Sequence, residues 1–153
     1  EGIEMNRYEK PLPFVTEDGE PFWKGCKQHE LLIQKCKDCG WSQFPPRVVC
    51  VSCSSMNLEW IKTQGKGVVY SYTVVHRAPT KALSVDAPYV VAMIDLEEGV
   101  RILSWLVDFP VEELKVGLPV AVTFSDVTDE ITLPMFGPDR QRRAETGRVA
   151  STT

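Results

Sequence analysis

The sequence predicts a mainly β fold in which a short N-terminal helix and a small two-knuckle ribbon precede a five-stranded barrel. Three observations carry that reading. Cys36 and Cys39, then Cys50 and Cys53, form two C-x2-C pairs with ten residues between them. After Gly65-Lys66-Gly67, five segments rich in β-branched and aromatic residues follow one another with no long helical pattern between them. Ahead of both, Phe22, Trp23 and Cys26 recur at helical spacing.

The 153 residues have room for one compact core with a small stapled module attached. The expected division is residues 1–30 for an N-terminal arm and amphipathic helix, 31–64 for the metal-binding ribbon, 65–138 for the barrel and 139–153 for a flexible tail. In the first segment, Pro11, Pro13 and Glu17-Asp18-Gly19 read as an extended arm closed by a turn. Pro21 suits the first turn of a helix, where its missing N–H costs nothing, and the helix is expected to end near His29. So short a helix does not hold alone in water and must dock on its own domain or on a partner.

Leu31 to Gln34 and Phe44 to Val49 lead into the two cysteine pairs as the arms of the ribbon. The barrel strands are expected at Val68–His76, Tyr89–Leu96, Val100–Val107, Pro119–Ser125 and Ile131–Phe136. Glu97-Glu98-Gly99 carries a tight hairpin signal, because glycine supplies positive φ. Five short strands in this span suit the OB-fold, a small, partly closed barrel.

Composition narrows the partners. Hydrophobic residues make up 43% and charged residues 25%, a composition that can build a core. Gly67 to Phe136 holds four basic and ten acidic residues, a formal net of −6, which repels a phosphate backbone and disfavours nucleic acid. The longest uncharged run in the middle of the chain, Val48 to Leu58, is too short to cross a bilayer, so no membrane role and a cytoplasmic setting are expected.

Two C-x2-C knuckles deliver four thiolates at tetrahedral geometry, and one structural zinc ion per chain is the expected cofactor. Disulfides or redox thiols are one alternative, and a rubredoxin-like iron site that carries electrons is another, since the same cage accepts either metal. Four protein ligands leave no open position for catalysis. Cys26, on the apolar helix face, reads as a small hydrophobe. His29 and His76 have no nucleophile beside them in the sequence, and no catalytic residue is assigned. Tyr70 and Tyr72 alternate onto one strand face, where they would pack or stack a base, so a single-stranded nucleic-acid-binding module stays open as a rival function.

The run Pro21-Phe22-Trp23, Leu31-Leu32-Ile33-Gln34-Lys35-Cys36, Cys39-Gly40, Pro45-Pro46-Arg47, Cys50, Cys53, Leu58-Glu59-Trp60 and Gly65 to Ser71 resembles the DUF35 family. The resemblance extends from Tyr8 to Pro138 and includes Ile131 to Phe136; it departs at Ser54-Ser55, where relatives often carry glycine, a change expected to loosen local hydrogen bonding. It implies a short helix, a rubredoxin-like zinc ribbon and an OB-fold. It also implies a subunit without chemistry of its own, paired in a hetero-oligomer with an acyl-CoA enzyme. That enzyme is usually of the thiolase superfamily and sometimes a MaoC-like hydratase or a steroid side-chain aldolase. By the same resemblance Phe22 and Trp23 are expected to dock the partner, and Arg77 and Lys81 to meet the phosphates of a CoA thioester held near the interface.

Overall fold

The computed structural model describes residues 8–141. Helix α1 spans Glu20–Lys27, with Pro21 in its first turn and a Glu20–Lys24 ion pair of 2.8 Å on its exposed side. It closes near His29, as expected. The His29 N–H donates to the Cys26 carbonyl at 2.9 Å and the Glu30 N–H to the Gly25 carbonyl at 2.8 Å, with His29 at φ 59°. This pair of bonds is a Schellman closure, in which histidine takes the left-handed position that glycine usually fills.

The ribbon is a three-stranded sheet of order β2-β1-β3, made of β1 (Leu32–Cys36), β2 (Ser42–Gln43) and β3 (Leu58–Lys62). The five barrel strands are β4 (Lys66–Val75), β5 (Tyr89–Leu96), β6 (Arg101–Leu106), β7 (Pro119–Asp126) and β8 (Thr132–Pro138). They close in the order β4-β5-β6-β8-β7, with β7 paired back onto β4. Only the β6–β8 contact is parallel, at Leu106 and Phe136, sealed by the Val107 N–H donating to the Phe136 carbonyl at 2.8 Å. A one-turn helix α2 (Lys81–Ser84) lies in the long connection between β4 and β5.

Alternation along β5 sends Val90, Ala92, Ile94 and Leu96 inward, where they meet Val69, Ile102, Val120 and Phe136. Gly99 turns the β5–β6 hairpin at φ 85°. A bulge in β4 between Val69 and Ser71 breaks the two-residue period. It parts Tyr70 from Tyr72, which sequence alternation placed on one face. Tyr70 stays exposed beneath the Arg101 guanidinium, 3.3 Å from its ring centre, while Tyr72 packs on the core and donates to the Leu114 carbonyl at 3.0 Å.

Helix α1 packs on its own chain. Phe22, Gly25 and Cys26 are buried, and the helix lies against β1 and β8. At the other end, the described part of the stretch expected as a tail is bonded: Asp139 is buried and accepts the Gln141 N–H at 3.1 Å, and Lys66 Nζ donates to Gln141 Oε1 at 3.0 Å. The remainder of that expected tail, 142–153, lies outside the described residues, as does the start of the N-terminal arm, 1–7.

Candidate metal centre

Cys36 ends β1, and the turn after it returns Cys39 to the same point; Cys50 and Cys53 repeat the device on the loop before β3. The two knuckles share one hydrogen-bond pattern. The Cys36 N–H donates to the Trp41 carbonyl at 2.8 Å and the Gly40 N–H to the Cys36 carbonyl at 2.9 Å. The Cys50 N–H likewise donates to the Ser55 carbonyl at 2.8 Å and the Ser54 N–H to the Cys50 carbonyl at 2.9 Å. Gly40 at φ 75° and Ser54 at φ 62° occupy equivalent left-handed positions. Ser54 therefore keeps the knuckle bond, and the loosening expected from the missing glycine does not occur; the cost falls on the backbone conformation instead.

The four Sγ atoms lie within 4.8 Å of one another, with 3.6 Å between Cys36 and Cys53 and 3.6 Å between Cys39 and Cys50. Thiolates bound to zinc at about 2.3 Å stand about 3.8 Å apart along a tetrahedral edge, so the cage fits the ion. The separations are far beyond the roughly 2.05 Å of a disulfide, and all five cysteines of the chain are free. Cys36 and Cys50 are buried while Cys39 and Cys53 reach the surface. The backbone N–H of Cys39 lowers the Cys36 thiol, while at Cys53, against the lowering Ser55 backbone bond, the crowded Cys39, Cys36 and Cys50 sulfurs raise the thiol. Cys26 is different: it is wholly buried, and desolvation pushes its thiol up to about 12, so it packs as an apolar group.

Two polar groups tie the knuckles together, and neither stood out in the sequence. Asp38, inside the first knuckle, accepts from Ser55 Oγ and, at 2.8 Å, from Asn57 Nδ2 beyond the second. Those bonds, Ser55 first and Asn57 next, hold its carboxyl below the usual carboxylate value. The second group is the buried amide pair Gln34 and Gln43, which face each other across β1 and β2 and bond the loop that carries Cys50. A glutamine on a short strand gives no warning in the sequence, because its usual place is solvent.

The other expected site residues fall elsewhere. Phe22 is only 4% exposed, packs against Phe44 with ring centres 5.2 Å apart, and contributes to the same groove that Trp23 lines. Trp23, edge-on to Phe22 at 5.0 Å, is half-buried. It lines an apolar groove of about 480 Å³ together with Phe44, Trp105, Leu133 and Met135. Arg77 follows β4 and Lys81 opens α2, both exposed. No described helix is long and apolar enough to cross a membrane.

Comparison with known proteins agrees with this geometry. Residues 23–59 match the family described as ChsH2, rubredoxin-like zinc ribbon domain, and residues 60–125 that described as ChsH2, C-terminal OB-fold domain. A DUF35 domain-containing scaffold protein of Methanocaldococcus jannaschii is 42% identical over 110 residues, spanning 71% of this chain and 77% of that protein. A probable enoyl-CoA hydratase alpha subunit of Thermomonospora curvata is 35% identical over 129 residues; these make up 84% of this chain but 40% of that protein, so the chain corresponds to less than half of it. Among solved structures, one titled Ltp2-ChsH2(DUF35) aldolase superposes with a TM-score of 0.76 at 35% identity, covering 83% of this chain and 98% of the matched one. With its helix, its zinc ribbon built for one zinc ion and its closed five-stranded OB-fold, the chain belongs to the DUF35 family.

Proposed function

We propose that the chain is a non-catalytic scaffold subunit of an acyl-CoA-processing complex, paired with a thiolase-superfamily enzyme and assisting CoA-substrate binding or the stability of the assembly. The observation that carries this reading is the closed tetrathiolate cage: four protein sulfurs converge, which leaves no coordination position at which a substrate could be activated. The names of the relatives support the setting. Some are named scaffold proteins, two are named as alpha subunits of CoA hydratases, one of them as probable, and the name of the structural neighbour joins ChsH2(DUF35) to Ltp2.

Trp23 is the docking anchor of this proposal. It stands beside an open apolar groove, and large aromatics at such sites dominate the energy of association. Phe22 lines the same groove beside it at 5.0 Å, with little of its surface exposed. Arg77 and Lys81, exposed around α2, are the cations offered to CoA phosphates.

The test is copurification with the partner enzyme, followed by thiolysis or condensation assays on each component and on the complex. The chain alone is expected to turn over no acyl-CoA. Trp23→Ala is expected to weaken assembly by about 2 kcal/mol or more while zinc content and melting hold. Replacement of Arg77 and Lys81 by alanine is expected to raise the KM for the CoA thioester in the complex. Robust turnover by the chain alone would overturn the scaffold reading, and unchanged assembly of Trp23→Ala would remove Trp23 from the interface.

A further inference from the structure

The amide pair under the second knuckle is bound more completely than a packing role requires. Gln34 is 5% exposed and Gln43 4%, and they are directly opposed in the β1–β2 register. Gln43 brackets Cys50 on both sides: its Oε1 accepts the Val51 N–H at 2.9 Å and its Nε2 donates to the Val49 carbonyl at 3.2 Å. The same Nε2 donates to Gln34 Oε1 at 2.9 Å. Gln34 in turn holds both backbone groups of Arg47, accepting the N–H at 2.8 Å and donating to the carbonyl at 2.9 Å.

We propose that Gln34 and Gln43 are positioning residues for zinc, clamping residues 47–51 onto β1 so that Cys50 is held in register with Cys36 before the ion arrives. Three features lead to this assignment. The clamp joins the strand that ends in one ligand to the loop that carries another, so it fixes a distance between ligands rather than the shape of one turn. Every bond it makes to the loop is to backbone, so it specifies the path of the chain whatever the loop side chains are. None of its bonds uses a cysteine sulfur, so it does not need the metal to form.

The energetic logic is that of preorganisation. The loop between the knuckles has ten residues, of which only Ser42 and Gln43 are paired as strand, and ordering the rest at the moment of binding would weaken affinity. With the clamp closed beforehand, most of that ordering is complete in the metal-free protein. An apolar side chain of similar size at either position would leave backbone groups of Val51, Val49 or Arg47 without their part-buried partners and free the loop from β1.

Two measurements on the full chain test this. In wild type stripped with chelator, hydrogen exchange at the Arg47 and Val51 amides is expected to stay slow while the knuckle amides of Gly40 and Ser54 become fast. Loss of protection at all four together would overturn the proposal, because the clamp would then depend on the metal. In Gln43→Leu and Gln34→Leu, competition against a chromophoric chelator is expected to show zinc held about tenfold or more weakly, with faster release, while the melting of the zinc-saturated barrel is unchanged. Because the two amides act as one unit, the double variant is expected to lose less than the two single losses combined. Zinc affinity and release within about twofold of wild type in a folded Gln43→Leu would overturn the proposal. Should the leucine variants not fold, the exchange experiment on wild type decides by itself.

Discussion

His29 and Asp126, separated by 97 positions in the chain, meet at the seam between the helical segment and the barrel: His29 Nε2 stands 3.1 and 3.2 Å from the two carboxylate oxygens. The ring also lies flat on Phe124, centres 5.1 Å apart. The left-handed conformation that ends α1 at His29 is what aims the imidazole at β7.

A pH dependence follows from this contact. The Thr132 hydroxyl, at 2.5 Å, and then His29 hold the Asp126 carboxyl below its ordinary value of 3.8. The fold therefore binds the ionised form, and the stability it contributes is present above the unfolded value and lost as pH falls through the folded one. Wild type is expected to lose melting temperature between about pH 5 and about pH 3 more steeply than Asp126→Asn. Parallel slopes for the two proteins would show that the contact adds nothing to acid stability.

The equivalence of Gly40 and Ser54 supplies a stabilising substitution. Both sit in the left-handed region, where an L side chain costs about 1–2 kcal/mol relative to glycine. Part of that gain is returned by the greater freedom of glycine in the unfolded chain. Ser54→Gly is expected to stabilise the zinc-bound ribbon by roughly 0.5–1 kcal/mol, and Gly40→Ala to destabilise it by about 1 kcal/mol. Chelator titrations followed by near-ultraviolet circular dichroism read both, and a neutral Gly40→Ala would count against the strain argument.

Metal analysis of purified protein is expected to return one zinc per chain, without the colour of an iron tetrathiolate. Cys50→Ser leaves the cage incomplete and is expected to release zinc and loosen the two knuckles, since metal affinity and local folding are coupled in such modules. Cobalt substitution gives the independent check. A tetrahedral thiolate spectrum in wild type that is lost in Cys50→Ser supports the assignment, whereas a wild type that binds neither zinc nor cobalt contradicts it.

The barrel has its own sensitive point at Gly67. A Cβ there would lie 2.4 Å from the Asp95 carbonyl oxygen, a backbone atom that cannot turn aside. Gly67→Ala is expected to destabilise the barrel by about 2 kcal/mol or more, measured by denaturant melts, with zinc content unchanged. Gly99, with nothing within 4 Å of a built Cβ, serves as the comparison for a turn glycine that meets no steric neighbour.

Cysteine spacing and β-rich periodicity were enough to read the ribbon and the barrel order of elements, because ligand count and strand alternation are both written locally. What escaped was set by tertiary context. Phe22 and Trp23 are adjacent in sequence, equally aromatic and line one groove, yet Phe22 is almost wholly buried and Trp23 only in part; a helix pattern reports an apolar face without saying who covers it. The bulge at Val69/Ser71 inverts the two-residue rule just where Tyr70 and Tyr72 were compared. Gln34 and Gln43 are polar residues on a strand, and only the fold shows that loop backbone surrounds them.

Three residues, Thr63, Gln64 and Gly65, separate the end of β3 from the start of β4, and all three are bonded. The Thr63 N–H and hydroxyl both donate to the Leu31 carbonyl at 2.9 Å, the Gln64 N–H donates to Glu98 at 2.6 Å, and the Gly65 carbonyl accepts the Val122 N–H at 2.7 Å. The ribbon and the barrel thus meet as a bracket of set angle, with no swinging tether between them. A body gripped at one arm and a body gripped at the other would keep a constant mutual orientation, and their effective concentration would be governed by the rigid span of the bracket. Inserting a few glycine and serine residues at Gln64 would turn that bracket into a hinge while leaving both arms intact.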